Sequence, residues 1–567
     1  MDVHPFTVIE GLESAGNKLR VALDEYFSAC SGADGLLPDA LRDLPRGYLH
    51  DIDTEITHFP SYEPKLRQAE ATVRRIRNRL PQVTPISLLP PEILVHIFHL
   101  VANPCDIRVI DAEDSGSDTS TSSNTSEDWN ADAGGDLERR RHRTLQLDNF
   151  PTHLDSLTHV CSYWRRVAIN SPSLWTHVDF IPHKSLHREL LARAETHIAR
   201  AGQLPIELHV MDSNPLAYSA ATLRRFLSSI RHRVRSLNVA VTHNWRQFHG
   251  AVLNELFLNH ASKPTALTKL TTSFPMADDE TDEFVDWFDD TNDGFGHLTV
   301  LHLHGLFPLW RSVAYHNLVD LRLSSPSDER WARISELALQ AILEASPGLR
   351  VLHFALQITD RQRDDKSIIP VHLNHLEVLS ISTYRGREEI LLRPGHVLRL
   401  IAPGSKPLRL SICHSLEEDD LNGPGFSYSE LVKFFRRSNI AKFCTKYAYP
   451  QLDRLLCHAS NLEDLALDSC MFGWQGTKSL HRSSPATSRL NSLILHNCSP
   501  SLDQLEVLLE QHPAKQVFLC RCHWGDIEDP FLVQSPFERV LELFGRYPDT
   551  KLITQPSNPT VSWDLVD

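Results

Sequence analysis

Thirty-one histidines and ten cysteines are the side chains in this 567-residue sequence best suited to bind metal or carry out chemistry. Imidazole and thiolate are the usual ligands of zinc, but a structural zinc site draws two ligand pairs from separate stretches of chain. The densest soft-donor cluster is Cys520-Arg521-Cys522-His523, and no second pair of matching spacing accompanies it. His302 and His304 alternate along one extended stretch and so share a strand face, with no evident third donor. These groups are read as structural, and no metal or cofactor is expected. Cys457, Cys470 and Cys498 fall near or at expected strand ends and are read as buried core.

Nucleophile and phosphate motifs do not occur: there is no P-loop, no Gly-x-Ser-x-Gly elbow, no Gly-x-Gly-x-x-Gly and no His-Glu-x-x-His. Only 23 glycines are available for phosphate-cradling loops. The expectation is a protein that is not an enzyme; a hydrolase hidden in the C-terminal half is the alternative, and no motif supports it. One further kind of chemistry is suggested by Asp111–Asp136, which holds eight acidic residues and nine Ser/Thr. Ser115 and Thr125 each precede an acid by three residues, the pattern acidophilic kinases favour. Residues 104–149 are too poor in apolar side chains to offset their ordering entropy and are expected to be a disordered acidic insert, either regulated by phosphorylation or simply a solvated loop. Arg139-Arg140-Arg141-His142-Arg143 reads as counter-charge to it in preference to a nuclear signal.

The elements that must carry these residues follow from patterning. The net charge of −15 and pI near 6.1 argue against a general nucleic-acid binder. No stretch of about 18 uncharged apolar residues suggests a membrane span. The opening Met1-Asp2-Val3-His4-Pro5 has no basic start followed by an apolar run. An intracellular protein, cytoplasmic or nuclear, with reduced and mostly buried cysteines is expected, so the acceptor pattern Asn124-Thr125-Ser126 carries no meaning.

Three regions emerge: 1–85, 86–180 and 181–567. In the first, Leu49, Ile52, Ile56 and Phe59, then Leu66, Ala69, Val73, Ile76 and Leu80, form two short heptad-like stripes. Pro60 and Pro64 lie between them and are expected to break the helix and turn the chain. The region is either a helical hairpin or a coiled-coil dimerisation stalk. In the third region, Leu298/Leu301/Leu303 opens an L-x-x-L-x-L pattern. It recurs at Leu318/Leu321/Leu323, Leu349/Leu352/Phe354, Leu376/Leu379/Ile381, Leu462/Leu465/Leu467 and Leu490/Leu493/Leu495, with weaker copies at Leu237/Val239, Leu267/Leu270 and Leu408/Leu410/Ile412. Steps between middle leucines are 20, 31, 27 and 28 residues, overlapping the roughly 20–29 residues of leucine-rich repeats. Leucines at alternate positions point to one face and need stacked neighbours to be buried. Glu336–Ala345 and Gln504–Glu510 read as outer helices. The repeat asparagine is often missing, so the fold class expected is an α/β solenoid of irregular leucine-rich-repeat-like units, parallel strands with outer helices, behind a small all-α module. A non-repeat α/β domain with parallel strands is the alternative.

The middle region is the most specific. Pro91 suits the first turn of a helix and Glu92 its positive end. Ile93, Leu94, Ile97, Phe98 and Val101 then share a face. A second helix near 155–169 carries Leu154, Leu157, Val160, Cys161, Trp164, Val167 and Ala168 on one stripe. Four elements stand in order: Leu89-Pro90-Pro91-Glu92-Ile93-Leu94, Ile97-Phe98, Val160-Cys161-Ser162-Tyr163-Trp164-Arg165 and Ser173-Leu174-Trp175. This resembles the F-box, stretched to 93 residues (86–178) by the acidic insert, a lengthening that costs little in chain entropy. The layout as a whole resembles the large F-box families of mushroom-forming fungi.

The resemblance implies docking on the Skp-type adaptor of a cullin–RING ubiquitin ligase, with the repeats binding an unknown target protein. Leu89, Pro90, Ile93, Leu94, Ile97 and Phe98 would meet the adaptor, in a helix-in-groove arrangement. Val160 belongs to the same set, as do Trp164 and Trp175 if they are interface anchors; domain core is the preferred reading of both tryptophans. A non-ligase interaction scaffold retaining an F-box-like fold is the alternative function.

Overall fold

The computed structural model describes residues 5–34, 47–77, 85–102, 153–180, 187–212, 220–241, 247–253, 255–256, 266–274, 295–325, 332–360, 369–383, 394–414, 428–447, 455–470, 489–523, 536–554 and 558–564. The acidic insert and the Arg139–Arg143 run lie outside them. Helices come first and a large parallel sheet follows. The chain divides into two compact units, Met1–Leu94 and Val95–Asp567.

The first unit holds α1 (Pro5–Asp34) and α2 (Gly47–Arg77). Pro60 and Pro64 do not turn the chain as expected, and α2 runs through both of them. Each proline removes one helical N–H, but side chains around them are anchored on α1. Tyr26 Oη donates to Glu55 Oε1 at 2.9 Å, its ring packs on Phe59 at 6.4 Å, and Phe59 packs on Tyr62. Tyr62 Oη also donates to Glu55, at 3.2 Å. Contacts between elements thus override a local breaker. Away from this knot both helices leave large apolar residues in solvent, including Phe27 at 74% and Leu49 at 66% exposure.

The division between units falls inside α3 (Pro91–Val101). Next come α4 (His153–Val160) and α5 (Ser162–Ile169), where a single helix over 155–169 is expected from the apolar stripe. Cys161 separates them. Its backbone is extended (φ −156°), and its Sγ accepts the Trp164 N–H at 3.4 Å as the cap of α5. A side chain able to bond the N–H three residues on favours a helix start over a helix interior.

The second unit is dominated by fourteen parallel strands, numbered here along the sheet: β1 (His177–Phe180), β2 (Ile206–Asp212), β3 (Val234–Val241), β4 (Lys269–Ser273), β5 (Val300–His304), β6 (Asp320–Ser324), β7 (Val351–Ala355), β8 (Val378–Thr383), β9 (Leu408–His414), β10 (Ile440–Lys446), β11 (Asp464–Asp468), β12 (Leu490–His496), β13 (Ala514–Cys520) and β14 (Lys551–Thr554). Each of the twelve inner strands is bonded to the strand before and the strand after it, and among the described residues the order never reverses. A doubly wound sheet reverses its order at a switch point, whereas stacked repeats do not. The arrangement is solenoid-like. Outside the strands lie helices including α6 (His187–Arg200), α7 (Ala220–Ile230), α8 (Gln247–Leu253), α9 (Glu336–Ala345), α10 (Pro394–Leu398), α11 (Tyr428–Arg437), α12 (Leu502–Gln511) and α13 (Pro536–Gly545). The expected outer helices at 336–345 and 504–510 are α9 and α12.

The leucine pattern is the core. Register places Leu208, Leu237, Leu270, Leu301, Leu321, Leu352, Leu379, Leu410, Phe443, Leu465, Leu493 and Val517 in one row across the sheet. Every one of these residues is at most 1% exposed. The weak sequence copies at 237, 270 and 410 are therefore full members, and Phe443 fills the gap between 410 and 465.

The missing repeat asparagine has a replacement. Strands β10 to β13 are each followed by a left-handed residue: Tyr447, Ser469, Asn497 and Arg521. After the last three comes a cysteine, at 470, 498 and 522. Their thiols donate to the preceding repeat, Cys470 to Thr445 O (3.6 Å), Cys498 to Leu467 O (3.3 Å) and Cys522 to Leu495 O (3.4 Å). Leucine-rich repeats place Asn or Cys at this position. The Cys520–His523 cluster is thus largely repeat architecture. Cys470 and Cys498 are buried as expected, while Cys457 is exposed, and so is Cys30.

Candidate protein-binding surfaces

Two surfaces are candidates for binding. One is the helical stretch 85–175; the other is the face of the sheet opposite the leucine row.

On α3, Leu94 and Phe98 stand four residues apart and are fully buried. Leu89 and Ile97 are half-buried, Pro90 is exposed, and Ile93 is 47% exposed. Phe98 meets Trp164 with ring centroids 5.1 Å apart, and His99 Nε2 lies 3.0 Å from Ser173 Oγ. The structure thus brings Phe98 and Trp164 together. Trp175 lies elsewhere, fully buried, its Nε1 donating to Ala168 O at 2.8 Å. His197 on α6 packs edge-on against it, and Arg200 lies over its ring at 4.2 Å. Trp175 is a core residue tying the helices to the first repeat, whereas Trp164 remains half-buried. Val160 ends α4 and is 59% exposed. Leu100 (68%) and Val101 (47%), at the end of α3, add further uncovered apolar surface.

On the sheet, the residues between the inward leucines form their own row: Asp179, His209, Asn238, Thr271, His302, Arg322, His353, Ser380, Ser411, Cys444, Ala466, Ile494 and Phe518. Sequence reasoning singled out only His302 of these. The signal was present, since an L-x-L strand assigns the intervening residue to the other face, but it needs the register of every repeat.

The first half of this row is ionic. Asp179 is buried among His177 (Nε2 to Oδ1, 3.0 Å), His209 (Nδ1 to Oδ1, 3.3 Å) and Arg193 (Nη1 to Oδ2, 3.5 Å). Arg193 also bonds Asp155 of α4 at 2.7 Å. Burial works against the charge of Asp179, but hydrogen bonds from the two histidines outweigh it and hold its carboxyl well below the usual range. Burial likewise lowers His177, yet its carboxylate neighbours raise it to about 9. Glu207 stands 3.9 Å from Nδ1, beyond hydrogen-bonding reach, so Asp179 accounts for most of that rise. His177, Asp179 and His209 could together hold a cation, but the Arg193 guanidinium already compensates the carboxylate there. The cluster is an ion-pair lock between β1, β2, α4 and α6.

Further along, Asp320 joins His302 (3.0 Å) and Arg322 (3.0 Å). Although burial opposes its charge, these partners bring its pKa to about 2. Burial, then Arg322, pushes His353 down to about 4.

The second half is apolar. Cys444, Ala466 and Ile494 form a small buried cluster on this face, with Phe518 beside it. Flanking rows carry Lys442 paired to Asp464 (2.9 Å), and Asp468 paired to His496 (2.7 Å) and Lys446 (4.0 Å).

No family model matches the sequence, and no curated protein matches it either. Among solved structures, a chain of the Rad7–Elc1 complex of yeast aligns with 12% identity and TM-score 0.28, covering 65% of this chain and 79% of its own. An internalin of Listeria monocytogenes aligns with 15% identity and TM-score 0.24, covering 71% of this chain and 94% of its own.

Proposed function

We propose that the chain is the substrate-recognition subunit of an SCF-type cullin–RING ubiquitin ligase, in which residues 86–178 dock a Skp-type adaptor and the repeat array binds a target protein. The observation that carries this reading is the ordered set of four F-box motif elements, together with the apolar side chains exposed along them, Ile93 in the first unit and Leu100, Val101 and Val160 in the second. Exposed apolar positions on short helices are what a partner helix covers. The chain itself then performs no covalent step. Its contribution is to hold a target beside a ligase-bound ubiquitin carrier, which raises the effective concentration of the reacting groups.

Leu94 and Phe98 have no exposed surface, so substituting them would test folding and docking together. Ile93→Asp with Leu100→Asp changes only exposed positions. This pair should abolish capture of a purified Skp-type adaptor while leaving the circular dichroism spectrum and melting temperature in place. Failure of the wild-type protein to bind the adaptor would sink the proposal. Adaptor capture without cullin would favour a scaffold outside a ligase.

A further inference from the structure

The apolar patch on the second half of the sheet face does not stand open. A short turn, Pro559–Asp564, runs beside strand β8 and reaches the patch through Trp563. Trp563 of that turn packs against the Cys444–Ala466–Ile494 cluster, as Phe518 does. Lys442 Nζ lies over the Trp563 ring, 5.1 Å from its centroid, and Arg409 Nη1 donates to Trp563 O at 3.5 Å. The turn is internally set by Asn558, whose Oδ1 accepts from both the N–H (2.9 Å) and the hydroxyl (2.8 Å) of Thr560.

Trp563 is partly exposed in this position, so it covers the cluster without becoming part of the leucine core. The strands beneath are complete without it, because their ladder and the inward row keep register from Phe443 to Val517. The covering residue is also chemically specific. A tryptophan on an apolar floor, with a lysine over its face and an arginine on its carbonyl, is a recognised side chain as well as a buried one. Counting Arg409, Lys442 and Lys446 against Asp464 and Asp468, the rim keeps one excess positive charge. The sequence after the tryptophan, Asp564-Leu565-Val566-Asp567, is acidic.

We propose that this patch is a peptide-docking site for a partner segment that presents a tryptophan followed by carboxylates, and that the Pro559–Asp564 turn fills it in cis. The inference rests on the reading of the array as the target-binding part, and it names the chemistry of the target. A partner peptide binds only when the turn has left. An intramolecular competitor held near a site acts at roughly millimolar effective concentration, and it reduces apparent affinity in proportion to the occupied fraction.

The test uses the full chain and a labelled peptide of residues 556–567, titrated by fluorescence anisotropy without any adaptor present. Trp563→Ala, which vacates the site, should bind this peptide about tenfold or more tightly than the wild type does. A peptide with alanine in place of its tryptophan should lose binding. Adding Ile494→Arg to Trp563→Ala should abolish it; should that variant misfold, Lys442→Glu, on the rim, should weaken binding several-fold. Equal affinity for wild type and Trp563→Ala, no binding to either, or equal binding of the alanine peptide would overturn the proposal. Adaptor capture, assayed separately, fails or succeeds independently, so loss of the ligase reading is told apart from loss of this one.

Discussion

The two halves of the exposed sheet face are built on the same leucine row and differ in what stands between the leucines. From β1 to β7 the intervening residues are Asp179, His209, Asn238, Thr271, His302, Arg322 and His353, with Asp179 bonded to His209, and His302 and Arg322 both bonded to Asp320 of the flanking row. From β10 to β13 they are Cys444, Ala466, Ile494 and Phe518, with the ions moved to the flanking rows. An ionic face whose charges are mutually compensated offers a partner little to gain, because docking would desolvate pairs already made. An apolar floor with a charged rim has the composition of a binding hot spot. On the proposed reading, the same repeat serves structure at one end and recognition at the other.

That contrast can be broken at its ionic end first. Asp179→Ala leaves His177 and Arg193 facing each other in a buried site, and stability measured by denaturant unfolding should fall by about 3–5 kcal/mol. Leu465→Ala, in the shared row beneath the apolar half, should cost about 2–5 kcal/mol, with no preference for either face. A drop at Leu465 much larger than at Asp179 would place the weight of the fold in the row alone.

The pH response should separate the halves as well. His177 has a folded pKa of about 9 against about 6.5 unfolded. Its stabilisation is complete below about 6.5 and is lost as pH rises through 9. His353, lowered to about 4 by burial, behaves oppositely: its contribution is present above 6.5 and is lost as pH falls toward 4. Unfolding midpoints should therefore decline on both sides of about pH 6.5. His177→Gln should flatten the alkaline limb only; an unchanged alkaline limb would refute the lock. At the small end, Lys446→Ala removes a half-exposed partner of Asp468 at 4.0 Å and should shift stability by about 1 kcal/mol or less.

Much of the fold was legible because period-2 leucine patterning survives in a single sequence. Leu301, Leu321, Leu352 and Leu379 stand in one register as their spacing implied. The start of the array was harder to see. β1 and β2 use Val178 and Leu208 amid His, Asp and Glu, and a short mixed strand has no period strong enough to read. Pro60 and Pro64 misled because their local cost is outweighed by the Tyr26–Glu55–Phe59 contacts, whose partners lie about thirty residues apart in sequence. Cys522 reads as structural in the sequence, but its ladder role was not legible because a ladder position is defined by the neighbouring repeat, not by its own flanks. For the candidate site, the sequence groups Ile93, Leu94, Phe98 and Val160 together as adaptor contacts, and only the structure shows that Ile93 and Val160 are exposed while Leu94 and Phe98 are buried. Trp563 carried no local signal at all.

The two ends of the ladder are finished differently. β1 is backed by Trp175, His197 and the Asp155–Arg193 bridge. Among the described residues β14 is the last strand in the order, and none of its four residues is fully buried. Where each rung is held only by its neighbours, cooperativity is short-ranged, and opening begins where one neighbour is missing. Amide hydrogen exchange should accordingly run as a gradient, slow near Leu208 and quickest at Leu552. Fraying from that end reaches β13 and Phe518 before any other part of the face.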